Sequence, residues 1–172
     1  MCDGLGEALN MDLADFVNEL YAMIPAISLA LGPGPAEVVV GVVSSKRRDL
    51  TDMLFRALHI VFSTRTFGTT APSWRSAAFA KRLLTASMHW PPEASCKAIH
   101  FVGDLLSKDA KLHALLLTED RTFDGIYRAE IDDPQLCNPF GTSFWELYEL
   151  VQNHWDSGVR EEARRVIEIG KQ

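Results

Sequence analysis

The stretch "SWRSAAFAKRLLTASMHWPPEASCKAIHFVGDLLS", Ser73 to Ser107, decides the fold. In its first half Trp74, Ala77, Ala78, Leu84 and Met88 recur at helical period, and Ser73 is placed to cap the start. In its second half Ala94, Ala98, Phe101, Val102 and Leu105 repeat that pattern. Between them stands Pro91-Pro92. Proline has no backbone N–H and a fixed φ, so the pair ends one helix and pre-sets the next, Glu93 to Ser107. Two helices joined by so short a corner must fold back on each other. Arg75, Lys81 and Arg82 fall off the apolar face and read as solvated.

Working outward, Leu13, Phe16, Val17, Leu20 and Ile24 predict a helix from Met11. Pro25 weakens that helix and "GPGPAE" ends it. "VVVGVV", Val38 to Val43, has no alternating segment to pair with and reads as a loop. Leu50, Met53, Leu54, Ala57, Leu58, Val61 and Phe62 predict a helix from Asp49 to Ser63. Asp109 caps a short helix through Leu117, and the segment Thr118 to Gly141 has little periodicity. Ser143 and Glu146 form a capping-box pattern at the start of a helix with Phe144, Leu147, Tyr148, Leu150 and Val151 inward. Asp156 or Ser157 caps the last helix, whose inward residues are Val159, Ala163, Val166 and Ile167, with Gly170 as its stop. The expectation is an all-α chain of antiparallel helix pairs in a short HEAT/armadillo-like α-solenoid. It divides into an N-terminal helix (1–31), a Gly/Pro/Val linker (32–48) and a helical domain (49–170).

Composition narrows the function. With 17 Lys plus Arg against 23 Asp plus Glu, the chain of 172 residues carries a net charge of −6, which gives no general attraction for a phosphate backbone. Nucleic-acid contact is therefore expected to be indirect or weak. Cys2, Cys96 and Cys137 make no CxxC pair and read as reduced thiols. No apolar run reaches the about 18 residues that span a bilayer, and no signal peptide is recognisable, so no membrane partner is expected. Cys96 and His100 have the reach of two metal ligands on one helix, short of the three or four a zinc site needs. The acidic run Ala129 to Asp133 could hold a hard cation, though such loop carboxylates are more often tied to nearby amides. No nucleophile elbow, P-loop or dinucleotide fingerprint occurs. No enzyme activity, cofactor or metal is expected.

The order "AAFAKRLLTASMHWPP", then "LLL" and an acidic loop, then "YRAEIDDPQLCNP" and "TSFWELYELVQNHW" resembles the C-terminal region of the CCAAT-binding-factor/nucleolar-complex family. The segment "GEALNMDLADFVNELYAMI" narrows the likeness to one branch. The likeness runs over Gly6 to Ile24 and Leu50 to Ile167. The resemblance marks Phe79, Lys81, Arg82, Leu83, Leu84, His89, Pro91 and Pro92. Further on it marks Tyr127, Asp133, Pro134, Asn138, Trp145, Glu146, Leu147 and His154. It implies a non-catalytic helical scaffold for assembly of the large ribosomal subunit in the nucleolus and nucleus. It also implies a heterodimer with another nucleolar complex protein within pre-ribosomal particles, and a link to chromatin and replication initiation. One departure is local: the family pattern has a His-Pro pair where this chain reads "HWDSG" after Asn153.

Asn138 with Pro134 and Pro139 suggests a loop with few conformations to lose. The expectation is that Asp133 to Asn138 straps the penultimate helix against the third and fourth and holds Trp145 in the groove. The alternative function, a direct nucleic-acid (chromatin or pre-rRNA) binding module, needs a basic stripe built from Arg75, Lys81, Arg82 and Lys97.

Overall fold

The structure, a computed structural model, describes residues 3–31, 42–63, 71–116 and 125–170, with side chains from 14 in the first stretch and from 50 in the second. Its helices are α1 (Asp3–Leu31), α2 (Val42–Val61), α3 (Ser73–Ser87), α4 (Pro92–Lys108), α5 (Trp145–Asn153) and α6 (Ser157–Ile169). Two 3₁₀ segments, Ala110–Leu116 and Pro139–Gly141, lie between α4 and α5. No strand occurs among the described residues.

Every residue of α3 from Ser76 to Leu84 is buried, which makes α3 the centre of the molecule. Its small residues Ala77, Ala78 and Ala80 let neighbouring helices approach closely. α1 packs against α3, α4 folds back along it through the Pro91-Pro92 corner, and α5 touches it as well. α6 packs on both α4 and α5. The result is three antiparallel pairs, α1/α2, α3/α4 and α5/α6, stacked in solenoid fashion, as the short corners predict. Aromatic rings join the first two pairs. Tyr21 meets Phe79 at 5.1 Å and Phe62 meets both Phe79 (5.3 Å) and Phe101 (5.6 Å), with tilted or edge-on rings that favour such contacts.

Several local expectations change. α1 runs to Leu31 with Pro25 inside it. α2 starts at Val42, seven positions before the expected Asp49, so Val42 and Val43 are helical while 38–41 lie outside the described residues. The short helix after Asp109 is 3₁₀ in form and is followed to Leu116; the Asp109 carboxylate accepts from the Lys111 N–H at 3.0 Å, as a cap should. Ser73 is the first residue of α3, the position before it being Pro72, and no side chain caps that start. Gly170 does end α6, in right-handed conformation, where any side chain would overlap Leu116.

Because α1 is continuous, Ala14–Leu31 is long and apolar enough, by length and composition, to cross a membrane, contrary to the expectation that no run would be. One face of it is packed into the core, while Phe16, Met23 and Leu29 are exposed. Val17, Leu20, Tyr21, Ile24, Ile27 and Leu31 are buried on one face, and Asp15, Asn18 and Glu19 are exposed on another.

Asp156 caps α6 as expected, its carboxylate accepting from Val159 N–H at 3.1 Å. Asp156→Ala is expected to cost about 1 kcal/mol and lower the melting temperature by about 2–4 °C, with Asp156→Asn close to wild type, read by thermal circular dichroism.

Candidate functional site

Adjacent positions on a helix point about 100° apart, so Lys81 and Arg82 leave α3 in two directions. Both are buried, which corrects the expectation that they are solvated. Each is hydrogen-bonded within the fold.

The Lys81 ammonium donates to the Ser143 carbonyl at 2.8 Å and to Glu146 Oε2 at 2.7 Å, with side-chain exposures of 2% for the lysine and 0% for the glutamate. The other Glu146 oxygen accepts from the Thr85 hydroxyl at 2.6 Å. Trp145 lies 5.0 Å and Tyr127 5.7 Å from the ammonium at their ring centroids, near enough for a cation–π attraction. Burial pushes the Lys81 pKa down, and the Glu146 carboxylate opposes that shift. This geometry overturns the capping box. The residue before α5 is Phe144, no side chain caps the helix, and Glu146 is turned instead to Lys81 and Thr85. An unpaired buried ammonium costs more than an uncapped helix start, so the carboxylate goes to the ammonium.

Arg82 serves the other side. One guanidinium nitrogen donates to the Tyr21 carbonyl (3.1 Å) and Asp132 Oδ1 (2.9 Å), the other to the carbonyls of Ala129 (2.9 Å) and Ile131 (2.8 Å). The Tyr21 carbonyl is the one that residue 25 would bond in a regular helix, and Pro25 has no N–H to give. Arg82 thus supplies the donor that proline removes, which is why α1 survives its internal proline. The guanidinium also stacks 3.8 Å from the Tyr21 ring centroid. The Tyr21 hydroxyl lies near Cys137 and Tyr127, and burial holds its pKa well above the usual phenol range.

The loop from Gly125 to Gly141 is therefore pinned, but differently from the expected strap. Asp133 Oδ1 accepts from Gln135 N–H at 2.7 Å, Arg128 N–H reaches the Cys137 carbonyl at 2.9 Å, and Pro134 and Cys137 are buried. Asn138 has a left-handed backbone (φ 49°), and a side chain on either Gly125 or Gly141 would press on its amide. Arg82 ties this loop to α3 and α1, where α3 and α4 were expected. Trp145 is not held in a groove; it is 46% exposed, with the Lys81 ammonium near its ring. The acidic run is tied to Arg82 and to loop amides, and the described residues contain no group of three metal-ligating side chains.

The remaining marked residues gather elsewhere. His89, Pro91 and His154 line a cleft of about 610 Å³ at the α3–α4 and α5–α6 corners, with Trp90, Glu149 and Trp155. Trp155 stands where the family pattern has proline, is 76% exposed and stacks on His154 at 5.8 Å. His154 Nδ1 accepts from Asp156 N–H at 3.1 Å, so the neutral ring carries its proton on Nε2. Cys96 is half-buried, and His100 pairs with Glu162 and Arg165.

Local reading missed Tyr21, Thr85 and Asp132. Their contacts with Arg82 and Glu146 span 50 to 61 residues.

Two double-mutant cycles test the dyad. Lys81→Met or Glu146→Leu alone is expected to cost about 3–5 kcal/mol and the pair much less than the sum, because each single change strands a buried charge. Arg82→Leu is expected to cost about 1 kcal/mol less in a Pro25→Ala background, where the backbone N–H restored at position 25 takes over the Tyr21 carbonyl. Equal costs in both backgrounds, measured by urea denaturation, would refute the proline link.

The CBF/Mak21 family model matches residues 3–163. Nucleolar complex-associated protein 3 of Saccharomyces cerevisiae is 29% identical over 179 aligned residues, covering 95% of this chain and 26% of that protein. Its namesake in Schizosaccharomyces pombe is 29% identical over 177, with 95% and 23% covered, and nucleolar complex protein 3 homolog of Danio rerio is 29% identical over 164, with 95% and 18%. The chain thus spans about a quarter or less of the length of these relatives. With nearly its whole length inside the family model, and an all-helical stack carrying the marked residues, the chain belongs to the CBF/Mak21 family.

Proposed function

We propose that this chain is a non-catalytic helical scaffold in the nucleolus and nucleus that serves large ribosomal subunit biogenesis by docking to proteins of the precursor particle, including another nucleolar complex protein. The observation that carries this reading is the family match over residues 3–163, joined by relatives named nucleolar complex protein 3. The architecture supports it. A solenoid offers shaped outer surfaces at its helix corners, and the charged residues of this core are already engaged with partners inside the fold. Lys81, Arg82, Thr85 and Glu146 are bonded within the fold, which suits a structural role better than proton transfer to a substrate.

The competing reading, a basic stripe for nucleic acid built from Arg75, Lys81, Arg82 and Lys97, loses most of its material. Lys81 and Arg82 are buried, and Lys97 is paired with Asp52 at 3.0 Å and Glu93 at 3.4 Å.

The test is sedimentation and depletion of the full-length protein. It is expected to cofractionate with large-subunit precursor particles, and its depletion to slow maturation of large-subunit rRNA while leaving small-subunit rRNA intact. Sedimentation as free protein, with both rRNAs maturing normally on depletion, would sink the reading.

A further inference from the structure

α1 and α2 form one layer on α3 and α4. Tyr21 of α1 and Phe62 of α2 both meet Phe79 of α3, and Phe55 and Phe62 of α2 meet Phe101 of α4, so the two helices turn their buried faces the same way. Their opposite faces point outward, and they are not the polar faces that suit the outside of a helical stack. On α1, Phe16, Met23 and Ala30 are exposed at seven-residue spacing, with Ala26 and Leu29 exposed beside them. On α2, Met53 and Ile60 are exposed at the same spacing, with half-buried Ala57 between them. Seven-residue repetition keeps apolar side chains in line along a helix, which is the geometry of a seam between helices.

The other side of the stack is built differently. Beyond its first turn α6 exposes Glu161, Arg164, Arg165 and Glu168, charged groups of both signs with no large apolar side chain among them. The remaining large exposed apolar residues among those described, Ile126, Leu136, Trp145 and Trp155, stand on loops or at a helix start, without such spacing. Charge narrows what can cover the α1/α2 face. α1 holds five carboxylates and no cation, whereas α2 holds four Lys or Arg against two Asp. An apolar face bordered by an acidic helix on one side and a basic helix on the other matches a copy of itself turned about a two-fold axis, α1 of each lying on α2 of the other. A head-to-tail contact would instead press the apolar seam onto the charged face of α6, stripping water from its ions. We propose that the outer face of α1 and α2 is a self-association surface, through which two copies of this chain stack apolar seam on apolar seam. The proposal goes beyond the docking reading and does not depend on it.

The experiment is sedimentation equilibrium of the full chain from about 1 to about 200 μM, where mass action brings out a weak dimer. The mass is expected to rise with concentration from 19.2 kDa toward twice that value. Met23→Glu/Ile60→Glu puts a carboxylate in each seam at a position exposed in the single chain, and is expected to weaken association at least about thirtyfold. Arg164→Glu, on the exposed face of α6, is expected to stay within about twofold of wild type. Association is expected to loosen by about twofold or more from about 50 to about 500 mM salt, because opposite charges are screened. Thermal melts at the lowest concentration are expected to coincide for wild type and variants. A mass of 19.2 kDa at every concentration, or equal weakening by the α6 change, would overturn the proposal. So would association that tightens with salt, as two acidic α1 helices meeting each other would do, or a monomer that binds phosphatidylcholine vesicles through Met23 and Ile60 instead.

Discussion

The structure depends on placing two neighbouring cations, Lys81 and Arg82, inside the central helix. A buried charge is tolerated only when its donors are met. Meeting those of Lys81 fixes Glu146, Thr85 and the Ser143 carbonyl, and with them the start of α5. Meeting those of Arg82 fixes the Tyr21 carbonyl on α1 and the turn from Ala129 to Asp132. Hydrophobic burial supplies most of the stabilisation, as in any domain of this size. It does not specify register. The dyad does, because its hydrogen bonds tolerate only small displacements of the helices on either side.

This arrangement also explains an irregularity in α1. A proline in a helix interior ordinarily costs about 3 kcal/mol, partly through the carbonyl it leaves without a donor. Here that carbonyl is an anchoring point for Arg82, and the proline makes the anchor available. The helix and the loop from Gly125 to Gly141 then share one guanidinium, so a disturbance in either reaches the other through a single side chain.

Much of the fold was legible in the residues. Helical period alone places α3 to α6 nearly at their observed limits, the Pro91-Pro92 corner forces α4 back on α3, and Asp156 is recognisable as a cap. The errors have a common cause. Charge type suggested that Lys81 and Arg82 face water, yet their partners lie 47 to 65 residues away and enter no local window. For the same reason Pro25 read as a weak point of the helix, its compensating donor being 61 residues downstream of Tyr21. The Ser143/Glu146 pattern matched a capping box by spacing, and only the buried ammonium decides against it. The marked residues likewise gave no hint that they form two groups, the dyad with its loop and the corner cleft with His89, Pro91 and His154.

Native-state hydrogen exchange on Arg82→Leu tests the central claim most directly, because it reads the coupling segment by segment. The second half of α1 and residues 125–141 should lose protection together, while α4 and α6 keep theirs. Protection lost evenly over all helices, or lost in the loop with α1 unaffected, would contradict the view that one guanidinium holds both in place.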